Sequence, residues 1–232
     1  MWNRTIGYIK LSIKRGASKN YYGIIYPYTY MPVSLIAITG TPGTGKTSVC
    51  RALEPISEYN IINLDAVIKS KGFYTGIDDD RGCLIADLTR LRDYIKSEVE
   101  NSEKQVVIES HLAHLLQPDV AIVLRTNPAV LASRLMQKGF TMRKIEENVE
   151  AEMLDVILIE AVDLCKVVYE VDTTTSAISE TASTIREIID TESGIDASRK
   201  KSLRLKFRPG SINRNWLTLT YPEPVRNRSY II

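Results

Sequence analysis

Cysteine is scarce in this chain. Cys50, Cys83 and Cys165 are its only three, and they are too far apart for a C-x-x-C pair. Such an odd, scattered set argues against a disulfide framework or a cysteine zinc site and fits a reducing cytoplasm. Long apolar runs are missing as well: none reaches the ~18 residues of a membrane helix, so no span is expected. Acidic residues are absent from 1–30, which carry five Lys/Arg, and nearly absent from 199–232, where Glu223 stands against nine Lys/Arg. The overall charge of +2 therefore hides an acidic middle between two basic ends. Residues 1–30 also lack a continuous apolar stretch, which argues against reading them as a secretory signal.

That distribution divides the chain into three parts. Residues 1–30 form a basic leader. It is either an arm that binds nucleic acid or a ribosomal surface, or a disordered stretch upstream of a true start at Met31. Residues 31–192 have the composition of one α/β domain with a full core, consistent with 44% hydrophobic residues overall. Residues 193–232 form a basic tail in which Phe207, Trp216, Tyr221 and Tyr230 are interleaved with cations. Basic side chains neutralise phosphates and aromatics stack on unpaired bases, so rRNA is a candidate partner for this tail.

The middle segment is organised around Gly40-Thr41-Pro42-Gly43-Thr44-Gly45-Lys46-Thr47, which fits G-x-x-x-x-G-K-[ST] without a gap. The β-branched run Val33–Thr39 precedes it as a buried strand, and Ser48–Glu54 follows as a helix stopped near Pro55. Glycines at 40, 43 and 45 free the loop's amides to face a polyphosphate at the positive end of the helix dipole. Lys46 places a cation against the β- and γ-phosphates, Thr47 offers a hydroxyl to Mg²⁺, and Ser48 adds a hydroxyl near the α-phosphate. ATP with Mg²⁺ is the expected ligand.

Around the loop, apolar strands alternate with helices. Strands are expected at 60–64, 105–111, 120–125 and 167–172, giving five with the first. Helices are expected at 65–71, 87–100, 128–138, 142–165 and 176–189, and a polar loop at 73–82. The pattern predicts a five-stranded parallel sheet flanked by helices, with right-handed crossovers and basic N- and C-terminal extensions. Ligands of such sheets gather at the carboxyl ends of the strands, where Asp65 and His111 fall. Arg125 is read either as a structural ion pair or as a phosphate ligand. Glu146, Glu147, Glu150 and Glu152 read as a solvated helical face. His111 and His114 have no evident third metal ligand, so a zinc site is disfavoured and His114 is read as structural.

Several short stretches carry a resemblance: the loop, Ile62-Asn63-Leu64, Glu109-Ser110-His111, Val123-Leu124-Arg125-Thr126, Arg134-Leu135, Lys138-Gly139-Phe140 and Glu147–Glu152. In this order they resemble nucleotide kinases of the adenylate kinase isoenzyme 6 family, in its archaeal branch, over about 32–189. The resemblance implies a nucleoside monophosphate kinase that makes ADP from ATP and AMP, with ATPase activity. It also implies a role in late maturation of the small ribosomal subunit through a transient contact with a platform protein. Two rival readings stay open: an ATP-switched assembly factor whose kinase activity is vestigial, and a small-molecule kinase of the shikimate type with Asp65 as the substrate-side acid. Carried over by position, Gly43, Gly45, Lys46, Thr47 and Ser48 hold ATP, residues 63–86 bind the monophosphate, and residues around 137–147 form a short lid. Glu109 replaces an aspartate that organises Mg²⁺ through water, and His111 matches a histidine implicated in catalysis. Lys69 and Lys138 stand where arginine is usual. Lysine keeps the charge and loses the bidentate fork, and Arg134 is expected to supply the missing phosphate contact.

Overall fold

The computed structural model describes residues 33–55, 58–79 and 82–212. The leader reading for 1–30 and the part of the tail beyond 212 lie outside these residues. The five expected strands are present as β1 (Leu35–Thr39), β2 (Tyr59–Asn63), β5 (Gln105–Glu109), β6 (Val120–Arg125) and β7 (Val167–Asp172). They form one parallel sheet in the order β2-β5-β1-β6-β7. The chain adds strands to one side of β1 and then to the other, so the strand order reverses at β1. That reversal opens a crevice beyond its carboxyl end, where the glycine loop begins.

Alternation along β1 sorts the two faces. Ile36 and Ile38 point to one face, where α1 (Lys46–Leu53), α7 (Ile178–Ser193) and α8 (Ala197–Lys206) supply Val49, Leu53, Ile185, Ile188, Ile189 and Leu203. Ala37 points to the other face. There α2 (Leu64–Lys71), α3 (Leu88–Asn101) and a short 3₁₀ turn (Ala113–Leu116) contribute Leu64, Ile68, Leu91, Ile95 and Leu116. α6 (Val156–Leu164) covers Ala121 and Val123 on this face through Leu158 and Ala161. α4 (Pro128–Gln137) and α5 (Met142–Met153) pair through Leu131, Leu135, Ile145 and Val149, with the turn containing Phe140 between them.

Three details differ from the sequence reading. The polar stretch 73–82 holds the first strand of an antiparallel hairpin, β3 (Tyr74–Asp78), which pairs with β4 (Cys83–Ala86) apart from the main sheet. Its strands are short and largely exposed, so burial left no alternating pattern to read. The single helix expected over 142–165 is two. Asp155 adopts a left-handed φ of 55° between α5 and α6, and its carboxylate binds Arg125 Nη2. A tertiary bond thus supports a conformation that local propensity disfavours.

The third difference concerns the expected domain end near 192. Beyond it, α8 packs on the sheet and α7, with Leu203 buried in the core. The Glu170 amide in β7 donates to Phe207 O at 2.8 Å. Glu192 is buried and accepts from the Tyr169 hydroxyl at 2.5 Å and from Arg204 through two bonds of 2.7 Å. The folded unit therefore continues through Phe207. The alternation of basic and apolar residues over 199–208 masked a helix in which one leucine and one arginine make the tertiary contacts.

Candidate active site

The site begins with backbone space. Gly40 has φ 131°, and a Cβ there would lie 2.3 Å from Leu124 O. Gly43 has φ 95°, and a Cβ there would press on Leu131 at 2.8 Å. Only glycine fits either position. The loop then turns into α1 at Gly45 and points the helix N-terminus into the crevice.

Lys46 is buried, and its Nζ donates to Gly40 O at 2.7 Å and to Thr41 O at 3.1 Å. The ammonium is thus held inside the loop by carbonyls. Burial pushes its pKa down to about 8, against the pull of Glu109, Asp65 and Glu152. A buried cation at the N-terminus of α1, within a glycine loop, fits an anionic ligand such as a polyphosphate.

Beside the loop, the Thr47 hydroxyl donates to Glu109, with oxygens at 3.2 and 3.4 Å. Asn63, at the end of β2, donates its side-chain amide to the same carboxylate. A hydroxyl next to an oriented carboxylate is the oxygen-donor set that suits Mg²⁺, so Thr47 and Glu109 are the residues fit to hold it.

On the β2–β5 side, Ser110 Oγ donates to Asp65 Oδ1 at 2.8 Å and lies 3.5 Å from His111 Nδ1. Burial lowers the pKa of His111; Asp65 raises it, and Lys46 and His114 lower it further. The imidazole is therefore neutral at pH 7 and is available to accept or donate one hydrogen bond. His114 is different. Its Nδ1 meets Thr39 Oγ1 at 3.1 Å and its Nε2 meets Glu160 at 2.9 Å. Both ring nitrogens are used, and the side chain joins β1 to α6.

On the opposite side of the loop, a cavity of about 410 Å³ is lined by Gly43, Gly45, Ser48, Arg134, Lys138 and Thr173, among others. Arg134 does not reach out as a phosphate ligand here. Its Nη1 and Nη2 donate to Thr126, Thr173 and Thr174, with Thr173 O at 2.7 Å. Lys138 follows α4 on the rim, exposed. Arg125 is a structural ion: it is buried and bonded to Glu152, Asp155 and Glu170.

The loop, Lys46, Thr47 and Glu109 thus converge with Asp65 and His111 at the crevice, while Ser48, Arg134 and Lys138 line the neighbouring cavity. Two contributions were missed in the sequence. Asn63 was noted only within a motif, although its place at a strand's carboxyl end was a usable signal. Glu152 was assigned to a solvated face. In fact it is 2% exposed and accepts from Thr41 Oγ1 at 2.5 Å, and no local pattern marks it.

Comparison with known proteins agrees with this geometry. A family model described as an AAA domain matches residues 36–155. A Methanosarcina barkeri protein named "Putative adenylate kinase" is 43% identical over 186 residues, spanning 80% of this chain and 98% of its own length. An Archaeoglobus fulgidus protein of the same name is 40% identical over 184 residues, spanning 79% and 92%. Among solved structures, shikimate kinase from Acinetobacter baumannii in complex with shikimate aligns with a TM-score of 0.50 at 16% identity. The match covers 68% of this chain and 94% of that one, and at this identity it supports the P-loop kinase fold alone.

Proposed function

This chain belongs to the AAA-domain family together with those archaeal relatives, and on that premise we propose that it is a nucleoside monophosphate kinase using ATP and Mg²⁺, with AMP as acceptor. The observation that carries the reading is the buried Lys46 inside the Gly40–Thr47 loop, with the Thr47–Glu109 pair beside it. ATP supplies the phosphoryl group, and Mg²⁺ screens its charge. The residues of the chain then divide the work. Loop amides and Lys46 would hold the phosphates, and Thr47 and Glu109 are the residues that would hold the metal. The cavity by Ser48, Arg134 and Lys138 takes the donor nucleoside. The opposite side, with Asp65, Ser110 and His111, receives the acceptor, and neutral His111 orients the attacking oxygen.

The lid at about 137–147 comprises little more than the turn from Lys138 to Thr141 between α4 and α5 and the start of α5. Closure over so short a lid excludes water incompletely, so ATP hydrolysis accompanies transfer. The resemblance to the isoenzyme 6 family extends the proposal to maturation of the small ribosomal subunit with a platform protein. In that role ATP hydrolysis sets the timing and kinase turnover is secondary.

The test is an acceptor screen. Purified protein is incubated with ATP and Mg²⁺ and with AMP, other nucleoside monophosphates or shikimate, and each product is quantified. The expected result is ADP formation dependent on AMP. Transfer to shikimate, or no transfer to any monophosphate, overturns the nucleoside monophosphate kinase reading. Hydrolysis stimulated by a small-subunit ribosomal protein supports the assembly role, and its absence counts against that role.

A further inference from the structure

Glu152 belongs to none of the steps above, yet it is the most heavily engaged carboxylate near the loop. It sits near the end of α5. Its Oε1 accepts from Arg125 Nε at 2.8 Å and from the Thr126 amide at 2.9 Å. Its Oε2 accepts from the Thr41 hydroxyl at 2.5 Å. One side chain therefore joins the second residue of the phosphate loop to the carboxyl end of β6 and to the helix after the lid turn.

We propose that Glu152 is a positioning residue that holds the phosphate loop open and ready for ligand by clamping Thr41 to the end of β6. The proposal rests on the reading of Gly40–Thr47 as a nucleotide-binding loop. Such a loop turns its amides inward, and parallel amide dipoles repel one another until an anion arrives. Lys46 Nζ and Thr44 Oγ1 brace the loop from within by bonding its own Gly40 and Thr41 carbonyls, but they do not tie it to the rest of the fold. Bonds to its surroundings must fix its place, and two of them fall within Gly40–Thr44. Thr41 is held by Glu152, and Thr44 O lies 2.8 Å from Thr173 Oγ1, a threonine held in turn by Arg134.

The competing role is neutralisation of Arg125. That cation already has Asp155 and Glu170, so charge alone does not call for a third carboxylate. Nor does it call for one whose second oxygen turns away to the loop. A hydrogen bond from a hydroxyl to a buried carboxylate is of the strong, charge-assisted kind, strong enough to set loop geometry.

The experiment measures calorimetric binding of tripolyphosphate with Mg²⁺, a probe of the loop without a nucleoside, at a temperature where each variant is folded. Thr41→Val removes the clamp and leaves the Arg125–Glu152 pair intact. It is expected to weaken binding about tenfold, the scale of one lost hydrogen bond to a charged group. Thr41→Ser is expected to restore binding to within about twofold. Should Thr41→Val fail to fold, Glu152→Asp gives the same reading, because the shorter side chain keeps the charge but cannot span Thr41 and Thr126 together. Lys46→Met is the control. If it loses tripolyphosphate binding while Thr41→Val and Glu152→Asp bind as wild type, the clamp is wrong and the loop assignment stands. If Lys46→Met itself binds as wild type, the loop assignment fails. A lowered melting temperature with unchanged affinity in Thr41→Val also overturns the clamp.

Discussion

Lys46 places the most demanding chemistry on one side chain. Its ammonium is buried, held by two carbonyls and depressed to about pKa 8. Replacing it with Met removes a point charge that no neighbour can supply. Phosphoryl transfer from ATP to AMP should fall by roughly 10²-fold or more, the scale of one lost electrostatic donor. The fold should survive, because a thioether carries no desolvation penalty, and steady-state assays beside thermal melts check both points. The pKa gives a second expectation. In the free protein Lys46 loses its proton as pH rises through about 8, so kcat/KM for ATP should fall above that pH. Bound phosphate holds the proton on, so kcat should persist to higher pH. For stability the sign is opposite. The folded pKa lies below the unfolded value, so between about 8 and 10.5 the unfolded chain holds the extra proton. This group's contribution to stability therefore rises with pH across that window, and its burial cost is fully present below it. His111, kept neutral by burial, should behave differently again. His111→Ala should lower kcat by about 10²-fold while changing ATP affinity little. Collapse of ATP binding with unchanged turnover per bound complex would show that the assigned role is wrong.

At the scale of elements, legibility followed burial. The five strands of the sheet and the helix that follows the glycine loop could be read because both faces of the sheet are covered, so apolar runs such as Val33–Thr39 and Val120–Arg125 stand out. The hairpin could not be read, since Tyr74, Ile77 and Ile85 remain exposed. Nor could the break at Asp155, which is fixed by an arginine 30 residues earlier in sequence. The same limit applied at the site. The loop residues and Glu109 follow from local motifs at strand ends, whereas Glu152 depends on a bond spanning 111 residues. Helix α8 makes the point testable. Leu203→Ala should cost about 2–5 kcal/mol by emptying a core position, and at roughly 2–4 °C per kcal/mol should lower the melting temperature by about 4–20 °C. A chain ending at residue 192 should be unstable, since it leaves Tyr169 and Glu192 without Arg204, whereas one ending at 212 should melt like the full chain. Equal melting of the two truncations would show that α8 only decorates the surface.

Across the whole molecule, charge is more entangled than the sequence alone suggests. Part of the basic tail is already engaged by α7: Arg204 and Lys200 pair with Glu192, and Arg199 with Glu187. The proposed rRNA contact then falls to the other six tail cations, Lys201, Lys206 and Arg208 before residue 212 and Arg214, Arg226 and Arg228 after it. Full-length protein should bind an rRNA fragment with an affinity that drops steeply as salt rises, and a chain ending at 212, which lacks Arg214, Arg226 and Arg228, should bind more weakly and with a shallower salt slope while keeping kinase activity. Filter-binding titrations over a salt series check this, and equal slopes for both chains would remove the tail from the interface.

The strand order has a consequence for the making of the protein as well as for its chemistry. β1 is an early element, but its sheet neighbours begin at Gln105 and Val120, and the loop's anchor at Glu152 is synthesised later still. Contacts of such long range form late in folding. A growing chain on the ribosome should therefore carry a complete glycine motif for more than a hundred residues of synthesis without a pocket to match it. Nascent chains arrested before Glu152 emerges should not be retained on immobilised ATP, and those arrested after Phe207 emerges should be.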